Sequence, residues 1–429
     1  MKICITVFIC TLLAVGCRQS SAPVADPAFA DSLISQYQPS VIMRTSDSNL
    51  VFWRNRMEAQ PENFVNGPKY ASALSTHFHL YGNINDLLKA DSLMKRSNEA
   101  NQYKEPGIFR TLAVYSLLQH QFHQADSFFK KAVAIEGLSV PNAYLNFDIV
   151  FELGQYPTAK KLLLSLAKDS SYAFYFRKSK YDHYDGTLDN SIDNMMMAKD
   201  KAADNKYLQQ AAISNAADLT IHKGDIKKAY DLYLQSIKID AADFHSILGL
   251  GWIALVHDKN YALAEKIFQF VHQRSSAPDA LLKLEQLAEA RDDSLLQKKY
   301  AIDFAVIVSD SAYGKMYSKY LIDLYTGILN DPAKAVILAE QETYNRPTPQ
   351  VFAWYAWSLF CNNEKEKAYT IFKAFVSKKP LEGLELYYMG KMMSGLDKGY
   401  NAREFFKAAY KNRYDLSPAK VKEIEKNLE

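Results

Sequence analysis

The 429 residues include only 16 glycines and 14 prolines. A strand-rich chain spends these two residue types on its many turns, so the shortage argues against sandwiches, barrels and propellers. Cysteine is scarcer: there are four, at positions 4, 10, 17 and 361. The first two fall in a segment expected to be removed, and Cys17 has its own reading below. Cys361 is then alone, no intrachain disulfide is expected in the mature chain, and beside Phe360 it reads as a small core residue. An excess of charge of one sign is missing too. Lys and Arg total 51 against 48 Asp and Glu, a formal +3. Without a concentrated basic stripe there is no electrostatic case for nucleic acid. The apolar run 3–15 has 13 residues, too few to span a membrane as a helix.

Motifs that carry chemistry are also lacking. There is no GxSxG, no GxGxxG opening a helix, no GxxxxGK[ST], no HExxH and no CxxC. His77 and His79 are two apart, so on a helix they diverge by about 200° and cannot share a metal. His120 and His123 have a usable spacing but lie in QHQFHQ, where a turn between helices is expected. Asp182-His183-Tyr184-Asp185 reads as a solvated helix end, with a cation or catalytic site as its other reading. Met195-Met196-Met197 reads as core filling. No catalytic residue, metal ligand or cofactor is called for.

What the chain does have is 48% hydrophobic residues, 28 tyrosines and a period. The stretch 350–380, QVFAWYAWSLFCNNEKEKAYTIFKAFVSKKP, reads as two amphipathic helices joined by a polar turn. Phe352, Tyr355, Ala356 and Leu359 share one face of the first. Ala368, Phe372 and Phe375 share a face of the second, and Pro380 stops it. Ala356 and Ala368 sit where the two helices approach most closely, and a larger side chain there would overpack the contact. With Ala368 as phase marker, the pattern recurs. Ala125 and Ala159 are 34 apart, Ala229 follows after 70, Ala264 after 35, Ala335 after 71, Ala368 after 33 and Ala402 after 34. Leu88 takes the marker 37 before Ala125. The two double intervals leave weak units near 175–205 and 279–310. The second reads as a degenerate unit with Asp292-Asp293 in its turn, or as one long helix dividing the array.

This order of bulky, small and aromatic residues with a closing proline resembles the tetratricopeptide repeat. The resemblance implies an all-α fold, an α-α superhelix of about ten helix-turn-helix units over 67–415. One hairpin cannot bury its apolar side alone, so neighbours must stack. Gly154, Gly224 and Asn330-Asp331-Pro332 fall at the expected turns. Residues 31–66 match no unit and read as capping helices over 31–36 and 49–59, with Trp53 on the first unit. Ser417-Pro418 opens a terminal capping helix over 416–429, burying Val421, Ile424 and Leu428.

The amino end is similar to that of a bacterial lipoprotein. Lys2 supplies a positive charge, 3–15 an apolar core, and LLAVGC a lipobox with Ala14 where Leu is usual. The resemblance implies a signal peptide over 1–16, lipidation of Cys17 and a flexible tether over 17–30 rich in Ser, Ala and Pro. With no acidic residue directly after Cys17, it implies the periplasmic face of the outer membrane. An ordinary secretory signal cut near 14–21 is the other reading.

In repeats of this kind the first helices line a concave groove where a partner segment lies. The resemblance places there Tyr70, His77, Arg110, Tyr144, Asp148, Tyr317, Tyr320, Trp357, Tyr387 and Lys391. Aromatics and Arg are favoured interface anchors. The Lys-plus-Asn carboxylate clamp of chaperone-binding members is not present on these faces. The expected function is a non-enzymatic, lipid-anchored envelope scaffold, its partners being the bilayer and another envelope protein or peptide. The alternative is a solute-binding lipoprotein like the SusD-type glycan binders. Those have loop-rich insertions that this composition does not supply. An enzyme housed in the irregular units 175–205 or 279–310 is the remaining class.

Overall fold

The computed structural model describes residues 22–396, 399 and 401–429. The expected signal peptide and Cys17 lie outside the described residues. Every regular element among them is helical. Two leading helices, α1 (Pro27–Ser35) and α2 (Val41–Ala59), precede ten hairpins. These pair α3 (Asn66–Tyr81) with α4 (Ile84–Ala100), α5 (Pro106–Leu118) with α6 (Phe122–Glu136), and α7 (Val140–Glu152) with α8 (Tyr156–Ser165). Next come α9 (Tyr172–Tyr184) with α10 (Leu188–Lys201), α11 (Lys206–Lys223) with α12 (Ile226–Ile239), and α13 (Phe244–Val256) with α14 (Tyr261–His272). The last four pair α15 (Asp279–Ala290) with α16 (Ser294–Val308), α17 (Ser318–Thr326) with α18 (Pro332–Asn345), α19 (Pro349–Cys361) with α20 (Lys365–Ile371), and α21 (Gly383–Gly395) with α22 (Ala402–Lys411). Helix α23 (Pro418–Leu428) closes the chain.

Each hairpin turns on one residue with positive φ. These are Gly82, His120, Gly154, Gly186, Gly224, Lys259, Asp292, Asn330, Asn363 and Gly399, at intervals of 32 to 38. The left-handed residue ends the first helix, and the polar residue after it often caps the second. Asp225, Asn260, Asp293 and Asp331 each accept a hydrogen bond from the backbone N–H three residues on. Inside the hairpins the marker alanines do what their size requires. Ala125, Ala159, Ala229, Ala264, Ala335 and Ala368 are all 0% exposed, whereas Ala402, the expected marker of the last hairpin, is only half-buried at the start of α22.

Four expectations are corrected by these contacts. Leu88 is not the marker of the first hairpin: it is 38% exposed, while Leu87 beside it is fully buried. The unit near 175–205 is a regular hairpin whose marker is Ser191, paired with Ser179. Each hydroxyl donates to the other's backbone carbonyl, at 2.7 and 2.8 Å, so two small polar residues hold the close approach. Residues 279–310, by contrast, form the hairpin of the first reading, with the left-handed Asp292 in its turn. The tether does not extend to residue 30. The Asp258 carboxylate accepts from the N–H groups of Val24 and Ala25 at 2.9 and 2.8 Å, and α1 starts at Pro27. The leading helices themselves start earlier than 31 and 49, and Trp53 packs on the first hairpin's core.

The superhelix is tight enough for its second turn to rest on its first. The backbone N–H of Ser276 donates to Tyr81 O at 2.8 Å and that of Lys315 to Gln119 O at 3.0 Å. Gln119 Nε2 donates to Ala312 O at 2.8 Å, Arg346 bonds Glu152 at 3.1 Å, and His222 bonds Asp415 at 2.5 Å. The partners in these five contacts are 193 to 196 residues apart. At 34 to 35 residues per hairpin that is about 5.5 hairpins per superhelical turn. Turns of the first, second, third and fifth hairpins meet the links that follow later hairpins. Gly82 shows why the turn residue there is glycine twice over: φ is +71°, and a Cβ would lie 2.5 Å from Ala277.

Candidate functional site

First helices line the inner face, and the closed turns draw that face into a crevice. Three cavities run along it. One of 460 Å³ sits at the seam between turns. A second of 280 Å³ shares His183, His222, Lys319 and Glu382 with it. A third of 170 Å³ shares Asp323 and Lys420 with the second. The walls are ion pairs between helices distant in sequence. Glu152 at the end of α7 accepts from Lys180 of α9 at 2.6 Å and from Arg346 after α18 at 3.1 Å. Burial would raise the Glu152 carboxyl, but the two cations outweigh it and hold it at about 2. Lys319 of α17 lies 3.3 Å from Glu385 and 3.9 Å from Glu382. Burial would lower the ammonium, and the two carboxylates raise it instead. Lys420 of α23 reaches Asp323 at 3.0 Å and Glu289 at 3.9 Å. Its own burial is likewise outweighed by those carboxylates.

Three groups depart from their usual titration range. Burial, with Glu289 nearby, pushes the Glu285 carboxyl up to about 8, so it stays protonated at neutral pH. Burial brings Lys283 down to about 8, its Nζ 3.5 Å from the centre of the Trp252 ring. Burial also holds His183 below the ordinary histidine range.

The expected groove residues divide. Tyr320 lines the second cavity, and Trp357, Tyr387 and Lys391 line the third. Within it Lys391 pairs with Glu423 at 2.7 Å, Tyr387 donates to the same carboxylate, and Trp357 Nε1 donates to Thr326 at 3.0 Å. The other six residues are engaged elsewhere. Tyr70 is 2% exposed in the first hairpin's core. His77 bonds Asp86 at 2.7 Å and stacks on Tyr81. Arg110 pairs with Glu136, and Tyr144 donates to Asp169. Asp148 pairs with Arg177 at 2.5 Å, and Tyr317 donates to Asp279 at 2.9 Å. Only the Asp148 and Tyr317 contacts join successive first helices, and the rest lie within a hairpin or reach the link after it.

Sequence reasoning did not find Glu152, Arg346, Lys319 or Glu385. Their common property is pairing across the seam or the inner face, which depends on superhelical pitch. One signal did point there: His183, in the polar 182–185 run, lines both the seam and the inner cavity. Its neighbour Asp182 is used internally, by Lys178 and Asn194 at 2.9 and 2.7 Å. His120 occupies a turn, and His123 bonds Tyr344 O at 2.8 Å. Cys361 is half-buried, its thiol pushed up by burial to about 12. Among the described residues no three His, Cys, Asp or Glu side chains form a metal-holding group, and no helix is long and apolar enough to cross a membrane.

One packing relation decides the kind of array. Glycines of first helices lie flat against aromatics of second helices: a Cβ on Gly251 would meet Phe268 at 2.5 Å, and one on Gly390 would meet Phe406 at 2.8 Å. With the small residue at the start of the second helix and the recurring left-handed turn, the assignment follows. The architecture is a tetratricopeptide-type superhelix. No family model matches the chain, and no curated protein matches it. Among solved structures it is similar to pilF of Pseudomonas aeruginosa, at 14% identity over 50% of this chain and 97% of that one, with a TM-score of 0.36. It is also similar to a tetratricopeptide repeat protein from Parabacteroides merdae, at 14% identity over 75% of this chain and 97% of that one, with a TM-score of 0.31. The fold assignment rests on the hairpin geometry itself.

Proposed function

We propose that this superhelix is a non-enzymatic scaffold of the bacterial envelope. Lipid on Cys17 anchors it to the periplasmic face of the outer membrane, and it holds a segment of another envelope protein on its inner face. The observation that supports the reading is the run of connected inner cavities, where the exposed Tyr320 and the half-buried Lys391 are open to an entering chain above the buried rings of Trp357 and Tyr387. A photo-crosslinking residue at Tyr320, 37% exposed, tests the docking face in intact cells. A single envelope protein captured in near-stoichiometric yield is the expected result. Capture of none, with the chain correctly folded and membrane-bound, rejects the scaffold reading. Cys17→Ser tests the anchor, and the variant should move to the soluble fraction. Unchanged membrane association rejects lipidation at that residue.

The seam cavity favours a second reading, a solute-binding lipoprotein. Its 460 Å³ falls in the size range of small-molecule sites. Thermal shift against a glycan panel separates the two readings.

A further inference from the structure

Unspent hydrogen-bonding capacity that opens onto a cavity points to what should enter it. Most cations lining the three inner cavities are spent on carboxylates. Lys180, Arg346, Lys319, Lys420 and Lys391 each have a Glu or Asp oxygen within 3.3 Å. Lys283 of α15 is the exception. It lines the second cavity half-buried, and no oxygen among the described residues accepts from its Nζ. The ammonium lies 3.5 Å from the centre of the Trp252 ring, a face that attracts charge but carries no oxygen. Burial without a carboxylate in contact is what brings it down to about 8. Asp279, Asp218 and Asp415 act on it only from a distance, and each is already engaged. Asp279 accepts from Tyr317 at 2.9 Å, Asp218 from Tyr233 at 2.6 Å and His245 at 2.8 Å, and Asp415 from His222 at 2.5 Å. The same cavity holds a second free donor. Tyr320, one first helix further on, is 37% exposed, and its hydroxyl has no partner among the described residues.

We infer that the second cavity receives an acidic side chain of the guest segment, an Asp or Glu whose carboxylate accepts from Lys283 while a backbone carbonyl of the passing chain accepts from Tyr320. Charge counting alone does not select this class, since Lys283, Lys319, Lys420 and His222 face Asp218, Asp323, Glu382 and Asp415 around the cavity. What selects it is which groups remain free. Asp323 accepts from Lys420 at 3.0 Å and from Tyr388 at 2.7 Å, and Glu382 stands 3.9 Å from Lys319. With Asp218 and Asp415 engaged as well, a guest cation would have to draw a carboxylate away from the cation or hydroxyl it already faces. A guest carboxylate displaces nothing, and a charge-assisted hydrogen bond is roughly twice as strong as a neutral one. A side chain suits the place better than a chain end. This cavity of 280 Å³ shares walls with the cavity on either side, so a segment runs through it instead of stopping.

The inference rests on the scaffold reading for the identity of the guest, but the cavity is testable without one. Four N-acetylated pentapeptides, titrated into the purified full-length chain in detergent and followed by calorimetry, test it. Three have amidated ends and carry Glu, Gln or Lys between paired alanines. The fourth is five alanines with a free C-terminal carboxylate. The Glu peptide should bind about tenfold tighter than each of the others. Lys283→Met keeps an apolar stem on Trp252 and should erase that preference, and Lys283→Arg should keep it. Equal binding of the Glu and Gln peptides, no Glu-peptide binding at about 10 mM, tighter binding of the Lys peptide or of the free chain end, or an undiminished preference in Lys283→Met would each overturn the inference. In cells, a partner captured at Tyr320 whose crosslinked segment lacks Asp and Glu overturns the acidic guest and leaves the scaffold reading standing. Capture of no partner rejects the scaffold reading alone, and the peptides still decide the cavity.

Discussion

Glycine in the middle of a helix normally weakens it, by about 1 kcal/mol relative to alanine. Gly249 in α13 is an exception that its contact explains. An added Cβ would overlap the ring of Tyr233, which is 2% exposed and tied to Asp218 at 2.6 Å. The ring cannot step aside, and overpacking costs about 1–3 kcal/mol, more than the helix gains. Gly249→Ala should therefore lower stability by about 1 kcal/mol, read as a lower urea midpoint. Glu285 behaves in the opposite way to the paired carboxylates. Its folded value of about 8 lies above its ordinary 4.5, so the folded chain keeps a proton that the unfolded chain releases. Stability linked to this group is full below pH 4.5 and falls as pH rises towards 8. Glu285→Gln keeps an oxygen for the Gln297 amide, now at 2.8 Å, and removes the titration. The variant should gain stability over the parent steadily as pH rises from 4.5 to 8, and be no more stable at pH 4. A constant difference across that range would assign the group another role.

Across the elements, the turn matters as much as the helix faces. Each hairpin asks for one left-handed residue, and only some supply glycine. Lys259, with φ of 53° on an exposed turn, carries the steric cost that an L-residue pays there. Lys259→Gly should relieve it and, after the extra unfolded-state entropy, raise stability by about 0.5 kcal/mol. Gly224→Ala, at φ +88°, should go the other way. Thermal melts of the pair check both signs. The helical pairing was legible in the sequence because small marker residues recur with the hairpin. It faltered in two places for a physical reason. Ser191 replaces alanine at no cost in volume by bonding Ser179, and Gln297 at the matching place in α16 bonds Glu285 instead of packing. The turn residues were a second ruler: Gly154, Gly224 and Asn330 stood out, while His120 and Lys259 have no composition that announces a left-handed turn.

For the whole molecule, the pitch of the superhelix governs what the inner face can hold. An open concave groove is the expectation that repeat spacing alone supports. Pitch is a small rotation per hairpin summed over many contacts, and no single residue encodes it. That is why four of the ten expected groove residues line the inner cavities while the seam residues Glu152, Arg346, Lys319 and Glu385 were passed over. Glycine supplies only a partial local trace of closure, since His120 stands at an abutting turn and Gly186 and Gly399 have open space beside them. Gly82, Gly154 and Gly224 occur at turns that abut a later link, beside Ala277, Pro347 and Tyr414. Lys259, Asp292, Asn330 and Asn363 hold the same position in hairpins further along.

Amide hydrogen exchange resolved at two links tests the closure. Ser276 and Lys315 lie in connecting segments, and their N–H groups are bonded only across the seam, to Tyr81 O and Gln119 O. If the turns rest on one another, both amides exchange slowly, as helix-interior amides do. Exchange at the rate of free loop amides, with the hairpin helices still protected, would mean that the superhelix is open and that the seam cavity does not exist in solution.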